Sequence, residues 1–143
     1  MARYRRNFAM ALAMPLAILA LVILSSTSLY SKSFWRVVSV GAMERRYLLH
    51  MPSSHGPFSR GSVPLVLCFH GGGGSPRSIE RQSGFSRLSE REGFLVVYPK
   101  ALAGNWNDGR DSQKIWCQAN EIDDVAFVQS LLERLKSRFD IDE

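Results

Sequence analysis

The sequence holds only two cysteines, Cys68 and Cys117, and three histidines, His50, His55 and His70. That scarcity excludes a disulfide-stapled scaffold. It also leaves no His/Cys/carboxylate group with zinc spacing, since Cys68-x-His70 alone is too sparse, so no metal is expected. Cys68 lies within an apolar run and is expected as a small buried hydrophobe rather than half of a bridge to Cys117. Neither Gly-x-x-x-x-Gly-Lys-Ser/Thr nor Gly-x-Gly-x-x-Gly occurs, which excludes the common phosphate cradles. Acidic residues are missing from residues 1–33, which carry Arg3, Arg5, Arg6 and Lys32. Beyond them stand 14 basic against 13 acidic residues, so the formal charge of +5 belongs to the N-terminus. No basic face remains for a phosphate backbone, and nucleic-acid binding is excluded.

What is present is an ordinary globular mixture, 45% hydrophobic and 22% charged. Three arginines precede residues 8–24 (FAMALAMPLAILALVIL), 17 residues without a charge. The polar run Ser25, Ser26, Thr27, Ser28 follows. This is the layout of a secretory signal. Uncleaved, the run would be a signal-anchor, short for a span that takes about 20 apolar residues, and a buried core helix is the plainest alternative. The expected location is therefore extracellular or periplasmic, or membrane-anchored facing outside, with the membrane met only through residues 8–24. The expected division is 1–33 as signal or anchor and 34–143 as the body.

Within the body, 34–40 (FWRVVSV) and 45–51 (RRYLLHM) flank residues 41–44 and predict a β-hairpin. Residues 52–62 form a Ser/Gly/Pro-rich loop. The runs 63–69 (VPLVLCF) and 94–98 (FLVVY) are apolar at nearly every position, which predicts parallel strands covered on both faces. Between them 78–91 predicts a helix with Ile79, Phe85 and Leu88 on one side. Residues 100–120 read as loop. A helix over 122–139 is predicted from Val125, Val128, Leu132, Leu135 and Phe139 at 3- and 4-residue steps, with Asn120 as N-cap. Glu121, Asp123 and Asp124 suit its positive start, and Arg134, Lys136 and Arg138 its end. Alternating strands and helices behind a hairpin give an α/β fold with a mixed, mostly parallel sheet.

The turn His70-Gly71-Gly72-Gly73-Gly74 that ends the first apolar run is the feature with chemistry in it. A glycine turn after the third strand of an α/β-hydrolase lends backbone N–H groups to a tetrahedral oxyanion. Glycine allows the backbone to approach a substrate closely, and one such donor lowers a barrier by about 2.7–4 kcal/mol. A plain glycine-rich turn is the alternative.

The runs RRYLLHMP (45–52), PLVLCFHGGGG (64–74), EGFLVVYP (92–99), WNDGR (106–110) and IDDVAFV (122–128) follow one another in an order and spacing that resembles the polyhydroxybutyrate depolymerase and feruloyl-esterase-like family. The resemblance covers about residues 44–142. It implies an α/β-hydrolase fold, a secreted serine carboxylester hydrolase and no cofactor. The substrates it implies are polyesters, acetylated or feruloylated polysaccharides and small esters. It places the oxyanion hole at Gly71 and Gly72, with His70, Gly73 and Gly74 as the supporting loop and His70 a brace rather than a base. Trp106, Asn107 and Asp108 match a loop beside the family's active site and could form a substrate wall. For Trp106 loop packing is the alternative, and Asp108 could simply pair with Arg110.

The catalytic triad is missing. A serine esterase needs Gly-x-Ser-x-Gly, then an acid, then a histidine, in that order. Ser75 is followed by Pro76-Arg77, Ser130 and Ser137 fall within the last predicted helix, and no histidine follows His70. The expectation is the N-terminal part of an esterase, ending before the nucleophile elbow. A related hydrolase of peptides or lactones, and a non-catalytic exported or anchored remnant, are the competing readings.

Overall fold

The computed structural model describes residues 33–55, 61–110 and 112–142. The apolar run 8–24, with the signal or anchor expected there, lies outside the described residues. Among the described residues no helix is long and apolar enough to cross a membrane.

A four-stranded sheet runs in the order β1-β2-β4-β3. Strand β1 (Ser33–Val40) pairs antiparallel with β2 (Met43–His50), Val40 opposite Met43. The turn is thus two residues shorter than expected. Gly41 adopts φ +57°, which closes a tight turn and lets Met43 and Glu44 enter the ladder. Strand β2 pairs antiparallel with β4 (Leu95–Pro99), and β4 pairs parallel with β3 (Leu65–Leu67). The sheet is mixed, as predicted, but not mostly parallel: two of its three pairings are antiparallel, because the leading hairpin docks on β4 through β2.

Only β4 is apolar and buried throughout. The expected strand 63–69 is cut to three half-buried residues, because β3 stands at the edge of the sheet and Pro64 has no N–H to give. Val63 instead makes a separate parallel bridge to Ile141, with its N–H on the Asp140 carbonyl at 2.7 Å and its carbonyl on the Asp142 N–H at 3.1 Å.

The helix expected over 78–91 is two helices. Helix α1 (Pro76–Ser83) starts on a capping box in which Ser75 and Ser78 exchange hydrogen bonds, and it stops at Gly84, φ +69°. Gly84 also opens α2 (Phe85–Glu92), which ends at Gly93, again left-handed. A 3₁₀ turn (Leu102–Gly104) and the short helix α3 (Trp116–Ala119) punctuate the long loop.

Helix α4 (Asp124–Lys136) begins later than predicted, with Asp123 rather than Asn120 as its cap; the Asp123 side chain accepts from the Ala126 N–H at 2.8 Å. Its buried face is Asp124, Phe127, Leu131 and Leu135. Of the predicted stripe, Leu135 is buried and Phe139 packs against the same core, whereas Val125 is 68% exposed. Two apolar stripes lie side by side on this helix, and the one carrying the aromatic faces the sheet.

Side chains alternate across β4. Val97 joins Tyr47, Leu49, Phe127, Leu131 and Leu135 on one face; Val96 and Tyr98 join Leu48, Cys68, Ile79 and Phe85 on the other. The helices between β3 and β4 and the helix after β4 therefore cover opposite faces of the sheet. Cys68 and Cys117 are both buried free thiols.

Candidate functional site

The glycine turn leaves the sheet at the C-terminal end of β3, where ligands bind in open α/β sheets. Its shape is set by four hydrogen bonds. The Gly73 N–H donates to the Gly104 carbonyl at 2.9 Å and the Gly74 N–H to the Gly71 carbonyl at 2.9 Å. His70, 3% exposed, donates from Nδ1 to the Gly71 carbonyl at 2.8 Å and accepts the Ala101 N–H at Nε2, 3.3 Å. That pairing fixes the Nδ1–H tautomer and occupies both ring nitrogens, leaving the imidazole no lone pair with which to take a substrate proton. Gly73 sits at φ +70°, and a side chain at Gly74 would meet the Gly71 carbonyl at 2.9 Å. Both positions therefore require glycine.

Gly71 and Gly72 differ from their neighbours. Among the described residues neither N–H meets an acceptor. Beside Gly71 there is open space for a side chain, whereas one at Gly72 would stand 2.8 Å from Asn105 Oδ1. A cavity of about 270 Å³ opens over the turn, lined by His70, the four glycines, Ser78, Ile79 and Gln82.

Trp106 joins this turn directly. Its Nε1–H donates to the His70 carbonyl at 2.8 Å, and its ring meets Phe69 edge-on with centroids 5.3 Å apart. It also lines an apolar groove of about 410 Å³ with Phe69, Val125 and Val128, rimmed by Asn107, Asp108, Asp124 and Gln129. The three residues expected as a wall thus lie together. Asn107 is held by its N–H on Asp124 Oδ2 at 2.7 Å and by its side-chain amide on the Ile122 carbonyl at 3.0 Å. Asp108 pairs with Arg110, 2.8 Å from Oδ2 to Nη2, and the hydrogen bond from Arg110 holds its carboxyl below the ordinary range.

Asp124 stands in the first turn of α4, as expected, and does more than face the helix start: it is buried and bonded at 2.6 Å to Arg45, itself 1% exposed. The sequence motif by itself marks Arg45 only as part of a strand. The alternation of β2 carries the missed signal. Tyr47 and Leu49 point into the core, so Arg45 does too, and a buried arginine needs an acid. Gln118 was missed as well; it is buried and ties Trp106 and Asp108 together, its Nε2 donating to the Trp106 carbonyl at 3.3 Å and to Asp108 Oδ1 at 2.8 Å.

A serine, a histidine and a carboxylate do meet elsewhere. Ser33 Oγ lies 3.0 Å from His50 Nδ1, and His50 Nε2 lies 3.4 Å from Glu90 Oε1. Ser33 gives its proton to Glu80, so His50 must donate to Ser33 rather than accept from it. A catalytic base works in the other direction. This cluster ties β1 and β2 to the helices beneath them. Among the described residues no group of three or more His, Cys, Asp or Glu could hold a metal ion.

No protein-family model matches the chain. A search of curated proteins finds similarity to one named "Putative esterase NocK" from Nocardia uniformis subsp. tsuyamanensis, 28% identical over 107 residues. The match takes in 75% of this chain and 30% of that protein, so the chain spans about 30% of the length of the curated relative it matches. By its own fold the chain is an α/β protein, and by sequence it is distantly similar to an esterase.

Proposed function

We propose that residues 34–143 are the N-terminal part of an α/β-hydrolase domain, belonging to a secreted serine carboxylester hydrolase of the polyhydroxybutyrate depolymerase and feruloyl-esterase-like kind. The observation that carries this reading is the pair of N–H groups at Gly71 and Gly72, unoccupied among the described residues at the C-terminal end of a parallel strand. Acyl transfer builds negative charge on the ester carbonyl oxygen, and two fixed N–H donors aimed at that oxygen stabilise the charge without reorganising. Trp106 is the wall beside them, and the substrate is an ester of polyester, polysaccharide or small-molecule type. The nucleophile, its base and the orienting acid come from sequence not included in these residues; no cofactor takes part.

The Val63–Ile141 bridge supports the incomplete-domain part of the proposal. Ile141 bridges Val63 in parallel beside β3, the side of the sheet on which the proposed fold would pair a further strand. Export follows from the proposed signal in residues 1–33, cleaved or retained as an anchor.

The test is a graft. The 107 matched residues of the Nocardia protein are replaced by their counterparts from this chain. The chimera should hydrolyse p-nitrophenyl acetate, with loss of activity to a serine-directed phosphonate, while the 143-residue chain alone stays at the level of a protein control. Phosphonate-sensitive turnover by the chain alone would place a triad within it and overturn the reading. So would a folded chimera without turnover when the parent Nocardia protein is active.

A further inference from the structure

We propose that the buried Arg45–Asp124 ion pair is a positioning device for the Trp106–Asp108 wall, pinning the loop so that the Trp106 indole stays on the His70 carbonyl; this rests on the reading of the glycine turn as an oxyanion loop. Arg45 lines neither cavity and acts through Asp124. Its guanidinium lies over the Phe127 ring at 4.0 Å, and among the described residues its Nε and Nη1 have no hydrogen-bond partner. Nη2 reaches Asp124 Oδ1 at 2.6 Å and, at 3.5 Å, the Lys100 carbonyl. One carboxylate therefore carries nearly all the compensation this buried cation receives, and the cation in turn fixes how that carboxylate is oriented.

The second oxygen is what the loop uses. Asp124 Oδ2 accepts the Asn107 N–H at 2.7 Å, one residue after Trp106. The Asn107 amide on the Ile122 carbonyl and the Gln118 amide on the Trp106 carbonyl add two weaker ties. The indole then closes the chain of contacts on His70, whose ring holds the Gly71 carbonyl. From strand β2 to the glycine turn the path is Arg45, Asp124, Asn107, Trp106, His70. A pair kept for stability alone would be a poor choice, because buried ion pairs are often replaced by apolar residues without loss. Hydrophobic replacements cannot supply the acceptor for Asn107.

That difference makes the test. In the 15N-labelled full chain the Trp106 indole signal is identified by its loss in Trp106→Phe, and its solvent exchange is followed beside the amides of β4. The double variant Arg45→Met with Asp124→Leu removes both charges at similar volume. It should speed indole exchange by about tenfold or more while the β4 amides keep their protection, the mark of a local rather than a global opening. Arg45→Met with Asp124→Asn, which removes the buried cation while an amide oxygen still accepts from Asn107, should keep more of the indole protection than Arg45→Met with Asp124→Leu. Unchanged exchange in Arg45→Met with Asp124→Leu would overturn the proposal. So would β4 amides that lose protection in step with the indole, or an indole already fast in the parent chain. The readout is an exchange rate and not a turnover, so it can fail while the grafted esterase works, and hold while the graft fails.

Discussion

The indole N–H of Trp106 donates to the His70 carbonyl at 2.8 Å, joining the proposed substrate wall to the first residue of the glycine turn. The wall and the turn are therefore one unit. Phe in place of Trp106 keeps the edge contact with Phe69 but deletes the donor, leaving a part-buried carbonyl unpaired. The expected loss is about 1–3 kcal/mol, read as a lower urea midpoint at an unchanged slope. No change in the midpoint would mean that the turn holds itself.

The glycines should not be equivalent. Gly73→Ala forces an alanine to φ +70° and should cost about 1–2 kcal/mol. Gly71→Ala meets no atom within 4 Å and should stay within about 0.5 kcal/mol in the same urea experiment. The reverse order would contradict the geometry of the turn.

Alkaline pH should unfold the chain through two phenols. Burial raises both Tyr47 and Tyr98 above the ordinary value of 10.0, with the Ser86 hydrogen bond offsetting part of the rise at Tyr98. A pKa raised in the folded state means that folded chains hold these protons longer than unfolded ones. The stability is complete below the unfolded value near 10 and is lost as pH climbs through the raised ones. Thermal midpoints should fall above about pH 10, and the double variant Tyr47→Phe with Tyr98→Phe should fall less steeply. Equal slopes would exclude these phenols as the cause.

Phe69 and Val125, 42% and 68% exposed, border the apolar groove beside the free edge of β3. Exposed apolar surface next to an open strand edge favours association. Val125→Glu should shift the chain toward smaller species in size-exclusion chromatography, whereas Glu133→Gln on the same helix should not. An identical elution profile for Val125→Glu would remove this strip as the contact.

Export is the expected behaviour of residues 1–35. A fusion to a reporter that works only outside the cytoplasm should be active, and replacing Arg3, Arg5 and Arg6 by acids should silence it. A silent parent fusion would remove the secreted reading.

How much of this was legible in the sequence depends on what each residue had to signal. The α/β alternation, the mixed sheet and the turn after the first apolar run were readable, because continuous apolar runs and clustered glycines report directly on burial and backbone shape. The break at Gly84 was not, since one glycine inside a helical pattern does not say whether the helix bends, ends or continues. The first turns of α4's buried face are hidden for a different reason. Val125-Val128-Leu132 and Phe127-Leu131 both lead to Leu135 with the same period, and only the partner across the sheet distinguishes them. Arg45 and Asp124 stand 79 positions apart, a separation at which charge pairing leaves no local mark.

The measurement that bears most directly on the central claim is kcat for p-nitrophenyl acetate in the grafted esterase with Gly72 and with Gly72→Val. A side chain at Gly72 would stand 2.8 Å from Asn105 Oδ1, so valine there should displace the backbone N–H from the proposed oxyanion position. Loss of one oxyanion donor costs about 100- to 1000-fold in kcat, and a drop of that order with KM and the unfolding midpoint little changed is the predicted result. A Gly72→Val enzyme that kept its full kcat would contradict the assignment of this turn as the oxyanion loop.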